Sequence, residues 1–599
     1  MSPRLPRTAM NAATRDAALE EMEHGEPLDV LVVGGGVTGA GIALDAATRG
    51  LRTGVVDAQD WAGATSRWSS KLVHGGLRYL QQLDVKLVAE ALGERERLLF
   101  HLAPHLVSAV PFLYPLTHKW ERPYVGTGIG LYDTLAQWGS KASSLPRREH
   151  LTAEEVGEVF PALREDASIG AFKYWDARVD DARLVLTLLR TAVGQGALAA
   201  NRAEVVELLT EEDEFQDGNV VVGALIEDKE TGRRFPVKAR HVISATGVWT
   251  EHLQELAGAE AGLQVMASKG IHIVVDRDRI DGDVGLILQT EKSVLFVIPW
   301  EHHWIIGTTD TPYSGNPATP AASGADIDYV LEHANTVLRD PLTREDIVGV
   351  YAGLRPLLQP VAKDGGEAVS TKVSREHTVM EPVPGLITIA GGKLTTYRIM
   401  AEDAVDLALG DAAPDRPSVT DRILLHGADG WPGVQARVGA ITRQIAAVAG
   451  DQWDEQRTRD LLGRYGSAYD EVLAIMEEDP ATAEPLPGAP QHVRAEIVHA
   501  CRYEAPMHLE DLMDTRTRLT YSAPQHGLAA AEGIAEIAAA ELGWDRERMT
   551  FELAAYQARS EAEDRAARAE DDESAETARE SAAGVVPELH GPDQARAPE

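Results

Sequence analysis

LDVLVVGGGVTGAGIALDAATRGLRTGVVD, residues 28–57, is the stretch on which the reading of this chain turns. Residues 28–33 are a short apolar run of β-favouring side chains, the pattern of a strand buried on both faces. Gly34, Gly36 and Gly39 spell G-x-G-x-x-G, and a helix-spaced apolar set follows at Ile42, Ala43, Ala46 and Ala47 until Gly50. A second strand, residues 53–56, ends in Asp57. Each glycine has its own task. Gly34 makes the tight turn, Gly36 lets a pyrophosphate approach the backbone, and Gly39 lets the helix pack against the strand. The helix N-terminus offers free N–H groups and the positive end of its dipole to the phosphates. Asp57 can accept from a ribose 2′-OH. Strand, glycines, helix, strand and acid in this register predict a dinucleotide site.

The rest of the composition narrows the class. The 599 residues suffice for two or three domains, and 44% apolar with 25% charged residues is the balance of a globular protein. No apolar run reaches the ~18 residues of a membrane-spanning helix, and the first residues lack the apolar core of a signal peptide. Residence in the cytoplasm is the expectation. A single cysteine, Cys501, excludes intramolecular disulfides and cysteine-built metal centres and reads as a core residue. The net charge of −37 argues against nucleic acid as a partner. It also confines any membrane contact to a local basic or apolar patch.

Along the chain, residues 1–26 read as a disordered arm and 27–416 as one composite region. Within it a cofactor domain takes about 27–103, 176–265 and 350–416. A substrate domain takes about 104–175 and 266–349. The loop 58–80, AQDWAGATSRWSSKLVHGGLRYL, is dense in Ser, Thr, Gly and cations and can return beneath a cofactor. Residues 104–175, rich in proline and aromatics, suggest strands and loops with their aromatics (Phe112, Tyr114, Trp120, Tyr124, Tyr132, Trp138) mostly in the core. The runs GIHIVVD, VGLILQT and SVLFVIPWEHHWIIGTTD predict an antiparallel sheet, with His302 and His303 as a solvent-facing pair in its turn. Residues 417–556 are helical in pattern. From Glu561 onward twelve acids face four arginines in an aromatic-free segment, so 557–599 reads as an acidic disordered tail.

Several further stretches resemble one family: SSKLVHGGLRYL (69–80), VDDARLVL (179–186), FVIPW with IIGTTD (296–310), GLRPL (353–357), SREH (374–377) and GGKLTTYR (391–398). In this order they are similar to the FAD-dependent, aerobic-type glycerol-3-phosphate dehydrogenases over roughly residues 28–550. The resemblance implies an α/β fold: a glutathione-reductase-like FAD-binding Rossmann domain, an interleaved antiparallel substrate domain and a C-terminal helical cap. It implies oxidation of sn-glycerol 3-phosphate to dihydroxyacetone phosphate, with electrons passed to a membrane quinone by an enzyme held peripherally at the inner face of the cell membrane. A homodimer is an assembly it allows. Two departures stand out. Asp57 replaces the more usual Glu, and DTRTRL (514–519) has Thr515 in place of one of two paired arginines.

The chemistry assigns roles to particular residues. A phosphate calls for guanidinium forks; Arg355 and Arg375 match the family's phosphate positions, with Tyr79 as an added hydroxyl. Arg78 and Lys393 are cations that can sit near the substrate hydroxyl and the flavin, where positive charge favours the reduced anionic ring. Lys393 follows Gly391 and Gly392 and opens a helix, a poor place for an ordinary lysine. Thr395 and Arg398 support it. His272 is the candidate base, since alternation sets it opposite Ile271 and Ile273. His377 can orient the phosphate arginine. The cofactor set comprises Gly34, Gly36, Gly39, Asp57, Ser70, Lys71, His74, Gly75, Thr246, Gly247, Gly392, Lys393, Leu394 and Thr395. No metal is required. The rivals are an oxidase of the same substrate using O2, an NAD-dependent enzyme, and a non-catalytic flavoprotein redox sensor. Family oxidases carry an added insertion not evident here, and retention of Arg78, Arg355, Arg375 and Lys393 speaks against the sensor.

Overall fold

The computed structural model describes residues 7–77, 84–139, 145–212, 219–259, 262–290, 294–359, 377–582 and 584. Arg78, Tyr79 and Arg375 lie outside them.

Strand Leu28–Val33 is the centre of a mostly parallel sheet because its side chains are apolar on both faces. It pairs with Thr53–Val56 on one side and the end of Arg233–Ser244 on the other. Leu198–Ala200 and Leu386–Gly391 extend the sheet in parallel, and His377–Val383 closes one edge antiparallel. Helices Val37–Thr48, Asp181–Gly194 and Tyr397–Leu409 share one buried core with the sheet. Ala203–Glu212 and Asn219–Asp228 add the expected small antiparallel sheet to the early part of Arg233–Ser244. The ends of the parallel strands, at Val33, Val56, Ser244 and Gly391, open on one crevice, where ligands of doubly wound sheets bind.

A second sheet of ten strands is built around Val265–Asp276. This strand pairs antiparallel with Ile347–Leu358, His303–Gly307 and Thr311–Tyr313. Register sets His272 opposite Tyr351 and Ser268 opposite Arg355. Because side chains alternate, Ile271 and Ile273 pack with helix Gly324–Asn335 on one face. Val274 and Tyr351 pack with helices Val85–Arg97 and Glu121–Gly139 on the other. The antiparallel expectation for 266–313 therefore holds. The interleaving runs deeper than the expected boundaries: Leu72–Val73, Gly170–Arg178 and Ile347–Leu358 all belong to this sheet.

Four expectations are corrected. The N-terminal arm contains helix Ala12–His24, capped by Asn11 and anchored by the buried Arg15 on Asp228 and the carbonyls of Asn201 and Arg202. Residues 121–139 form a helix, not strands and loops, and Trp120 in the turn before it (65%) and Tyr124 in its first turn (57%) are exposed, not buried. His303 is buried and pairs with Asp276; only His302 is solvent-facing. The acidic tail is ordered through residue 582: helices Arg546–Ala566 and Asp572–Glu580 bury Ala566 and Ala575 and join Arg579 to Glu563.

The C-terminal helices enclose their own core, which includes Cys501, and dock through buried charge. Arg516 bonds Asp60 at 2.9 Å, Arg202 meets Glu510 at 2.9 Å and Asp511 at 2.6 Å, and Arg183 and Arg518 meet Glu504 and Asp180. Burial works against the Asp60 charge, yet Arg516, Arg202 and Arg67 hold its carboxyl below the usual range. Removing one partner of such a pair leaves an uncompensated charge and costs about 3–5 kcal/mol. Arg516→Ala should therefore lower the thermal midpoint by several degrees and expose the cap to proteolysis first. An unchanged midpoint and digestion pattern would show that this pair does not hold the cap.

Candidate active site

A cavity of about 280 Å³ occupies the crevice at the strand ends, lined by Gly34, Gly36, Asp57, Thr246, Gly247, Gly392, Lys393 and Leu394 among others. Two glycines are forced. Gly34 has φ +111°, and a Cβ there would lie 2.6 Å from the Ala245 carbonyl oxygen. A Cβ on Gly39 would lie 1.8 Å from the Gly34 oxygen, so Gly39 serves the close helix–strand packing and does not line the cavity. The Asp57 carboxylate accepts from Gly35 N at 2.5 Å and Gln59 N at 2.7 Å. Burial nevertheless pushes its pKa up to about 6. At the helix start Val37 N donates to Ser66 Oγ at 2.9 Å. This cavity-lining hydroxyl went unnamed in the sequence, although ATSRW is visibly a hydroxyl-rich loop.

On the far side, Gly391 and Gly392 both have positive φ, +79° and +77°, and lead to Lys393. Lys393 caps the turn Leu394–Thr396, which continues as helix Tyr397–Leu409. Thr395 faces inward; its Oγ1 accepts from His74 N at 3.1 Å and donates to His74 O at 3.2 Å. Gly75 N donates to Tyr132 Oη at 2.8 Å. Arg398 pairs with Glu94 at 2.8 Å. His74 thus ties the returning loop to Thr395 and Gly75 ties it to helix Glu121–Gly139, and none of the three is among the cavity's lining residues.

Lys71 and Ser70 also lie outside that lining. Lys71 is wholly buried, its Nζ 2.7 Å from Asp181 Oδ1 and 2.9 Å from the Arg67 oxygen. The ammonium is bound to protein, so a direct cofactor contact is not where the structure puts it. Ser70 Oγ lies 2.8 Å from His272 Nε2.

His272 is 2% exposed and stacks on Tyr351, ring centroids 4.8 Å apart. Burial, then the charges of Arg355 and Lys71, hold its pKa well below the ordinary value, so the imidazole is neutral. Arg355 lies on the adjacent strand. Its guanidinium donates to Thr308 Oγ1 at 3.0 Å and the Thr309 oxygen at 3.2 Å, with Asp310 at 3.4 Å. Glycine at 270 leaves this guanidinium in place, since a Cβ there would lie 2.6 Å from Arg355 Nη2 and displace it. Pro356, next to Arg355, lines the cofactor cavity. Base candidate, phosphate candidate and cavity thus adjoin. His377 pairs with Asp403 at 2.7 Å.

Known proteins resemble this chain along most of its length. The FAD dependent oxidoreductase family model matches residues 29–398, and that of the C-terminal domain of alpha-glycerophosphate oxidase matches 418–549. The chain is 46% identical to a glycerol-3-phosphate dehydrogenase of Mycobacterium leprae, over 96% of this chain and 95% of that one. The chain belongs to the FAD-dependent glycerol-3-phosphate dehydrogenase family. A mitochondrial glycerol-3-phosphate dehydrogenase of Homo sapiens is 35% identical, covering 89% of this chain and 73% of its own. Among solved structures, the glycerol-3-phosphate dehydrogenase from Bacillus halodurans complexed with FAD superposes with a TM-score of 0.74 at 30% identity, over 92% of this chain and 98% of that one.

FAD is the family's cofactor, and the residues here fit it. Gly34 and Gly36 present bare backbone to the cavity, the helix N-terminus at Val37 and Thr38 faces it, and Asp57 lines it at the end of the second strand. A carboxylate that accepts ribose hydroxyls must be ionised. Protonation at lower pH removes that acceptor, so affinity should fall as pH drops through about 6. FAD titrations of the apoprotein should show weaker binding at pH 5 than at pH 7, and Asp57→Asn should bind weakly at both. Equal affinity at the two pH values in the unaltered chain would remove Asp57 from this role.

Proposed function

We propose that the protein oxidises sn-glycerol 3-phosphate to dihydroxyacetone phosphate and passes the electrons to a membrane quinone. The observation that carries the reading is the placement of Arg355 and His272 on adjacent strands beside the cofactor cavity. Bound FAD supplies the hydride acceptor; the protein groups bind, orient and move the proton. Arg355 holds the phosphate, with Arg375 and Tyr79 proposed beside it. Arg78 and Lys393 are proposed to polarise the hydroxyl and favour the reduced flavin, Lys393 from the cavity wall. His272 takes the hydroxyl proton at Nε2, the nitrogen that faces Ser70 Oγ. The same Arg355 charge that weakens this base is neutralised when a phosphate dianion sits on it. The imidazole's proton affinity therefore rises when the substrate is in place, against the burial and the Lys71 charge that still hold it down.

Truncating Arg355 removes a charged partner of the phosphate, a loss of about 2–5 kcal/mol. Arg355→Ala should lower kcat/KM for glycerol 3-phosphate accordingly and leave glycerol nearly as good a substrate. Unchanged kcat/KM would remove Arg355 from the phosphate. Assays run in parallel with a quinone analogue and with O2 decide the acceptor; peroxide formation at the quinone rate would favour the oxidase.

No helix among the described residues is long and apolar enough to cross a membrane. Peripheral contact is supported by the exposed Trp120 and Tyr124, which lie beside Lys119 and Arg122 at the start of helix Glu121–Gly139. Aromatics with flanking cations suit a headgroup interface. Trp120→Ser with Tyr124→Ser should lose co-sedimentation with anionic vesicles and keep turnover with a soluble quinone analogue. Retained sedimentation would place the contact elsewhere.

A further inference from the structure

Helices Arg546–Ala566 and Asp572–Glu580 lie almost wholly beyond residue 549, where the match to the family's C-terminal domain ends. The second of them grips the substrate sheet. Lys269, fully buried on strand Val265–Asp276, has its Nζ 2.7 Å from Asp326 Oδ2 and 2.6 Å from Asp572 Oδ1. Asp572 also accepts from Ser323 Oγ at 3.0 Å, and the Ala569 oxygen accepts from Gly324 N at 2.8 Å. One turn along, Glu576 packs so tightly on Gly315 that a Cβ there would be 2.1 Å from its Oε1. The grip falls where Ala267, Ser268 and Lys269 pair with Tyr313, Pro312 and Thr311.

Lys269 points away from the reacting face, but its strand and its carbonyl lead there. Its oxygen accepts from Thr311 Oγ1 at 3.4 Å and Thr309 Oγ1 at 3.5 Å, and Thr309 Oγ1 accepts from Ile271 N at 3.0 Å. The Thr309 oxygen takes both terminal nitrogens of Arg355 at 3.2 Å. Ser268, next to Lys269, holds Asp310 at 2.5 Å, and Asp310 in turn lies 3.4 Å from Arg355. We propose that Asp572 is a positioning residue: acting through Lys269, it fixes the Thr308–Asp310 segment that aims the Arg355 guanidinium. The proposal rests on the reading of Arg355 as the phosphate group's partner.

A buried ammonium needs its carboxylates. With Asp572 gone, Lys269 keeps one carboxylate, Asp326, and the Ala321 oxygen at 3.2 Å, and shifts toward them, carrying its strand. Steady-state kinetics of the FAD-loaded full chain test this. Asp572→Asn should raise KM for glycerol 3-phosphate roughly tenfold, about 1.4 kcal/mol, with kcat within about twofold and flavin content unchanged. Asp572→Glu should recover most of the loss, and Glu573→Gln, exposed one residue on, should match the unaltered enzyme. An unaltered KM in Asp572→Asn beside a raised KM in Arg355→Ala overturns the positioning role alone. Unaltered KM in both variants overturns the Arg355 reading and the positioning role with it. Parallel loss of kcat and flavin in Asp572→Asn, without the KM change, makes the contact structural and overturns the role.

Discussion

Lys71 gives up all contact with water and sits 2.7 Å from Asp181, and the rest of the site depends on that bond. Asp181 opens helix Asp181–Gly194 of the cofactor domain, while Lys71 precedes strand Leu72–Val73 of the substrate sheet. Burial lowers the ammonium's pKa despite the carboxylate beside it, so the pair persists only because its donors and acceptors are satisfied. Asp181 also accepts from Ser69 N, Ser69 Oγ and Ala182 N, and Lys71 lies near the faces of Trp300, Tyr351 and Tyr521. The loop so pinned is the partition of the molecule. On one side its Ser66 and Asp57 face the cofactor cavity. On the other its Ser70 meets His272, and Trp68 lies 5.6 Å from Tyr351.

This explains which parts of the chain could be read in advance. The glycine turn, its flanking strands and Asp57 obey local steric rules, so residues 28–57 declare themselves. Alternation likewise declares 266–313. The loop after Asp57 was recognisable as important, yet its cations could not be apportioned. Lys71 resembles a ligand in sequence, and only the fold brings Asp181, 110 positions on, to claim it. The arm and tail failed for a related reason. Arg15 is buried on carbonyls and Asp228, and Ala566 and Ala575 are buried small side chains. Neither polar anchors nor alanine packing register as hydrophobic pattern. Helix Glu121–Gly139 was masked by Pro123 and by Gly126, Gly128 and Gly130, residues of low helix propensity that its packing overrides.

An excess of acid, 94 Asp and Glu against 57 Lys and Arg, might suggest a chain held apart by its own repulsion. The arginines are instead spent inside. Arg183, Arg202, Arg516 and Arg518 are buried at the junction with the helical domain, each with a carboxylate partner. Thr515, which the resemblance sets in the place of an arginine, receives Arg67 Nη1 at 3.2 Å. The departure therefore leaves the docking of the cap intact, because the two remaining arginines of DTRTRL reach Asp60 and Asp180. Such pairs fix one relative placement of the domains more than they add net stability, since each group's desolvation offsets much of its attraction.

The same electrostatic logic bears on substrate choice under the proposed function. His272 is a weak base because it is buried and faces two cations, Arg355 and Lys71. The Lys71 charge is answered by Asp181 at 2.7 Å, and Arg355 is held by the Thr308 hydroxyl, the Thr309 oxygen and Asp310 at 3.4 Å. A phosphate dianion on Arg355 offsets its positive charge and so relieves one of the influences that weaken the base. An alcohol without phosphate leaves the guanidinium charge in place and the imidazole weak. Discrimination then resides in the proton-transfer step as well as in binding, so the phosphate contributes to the transition state although it takes no part in the chemistry.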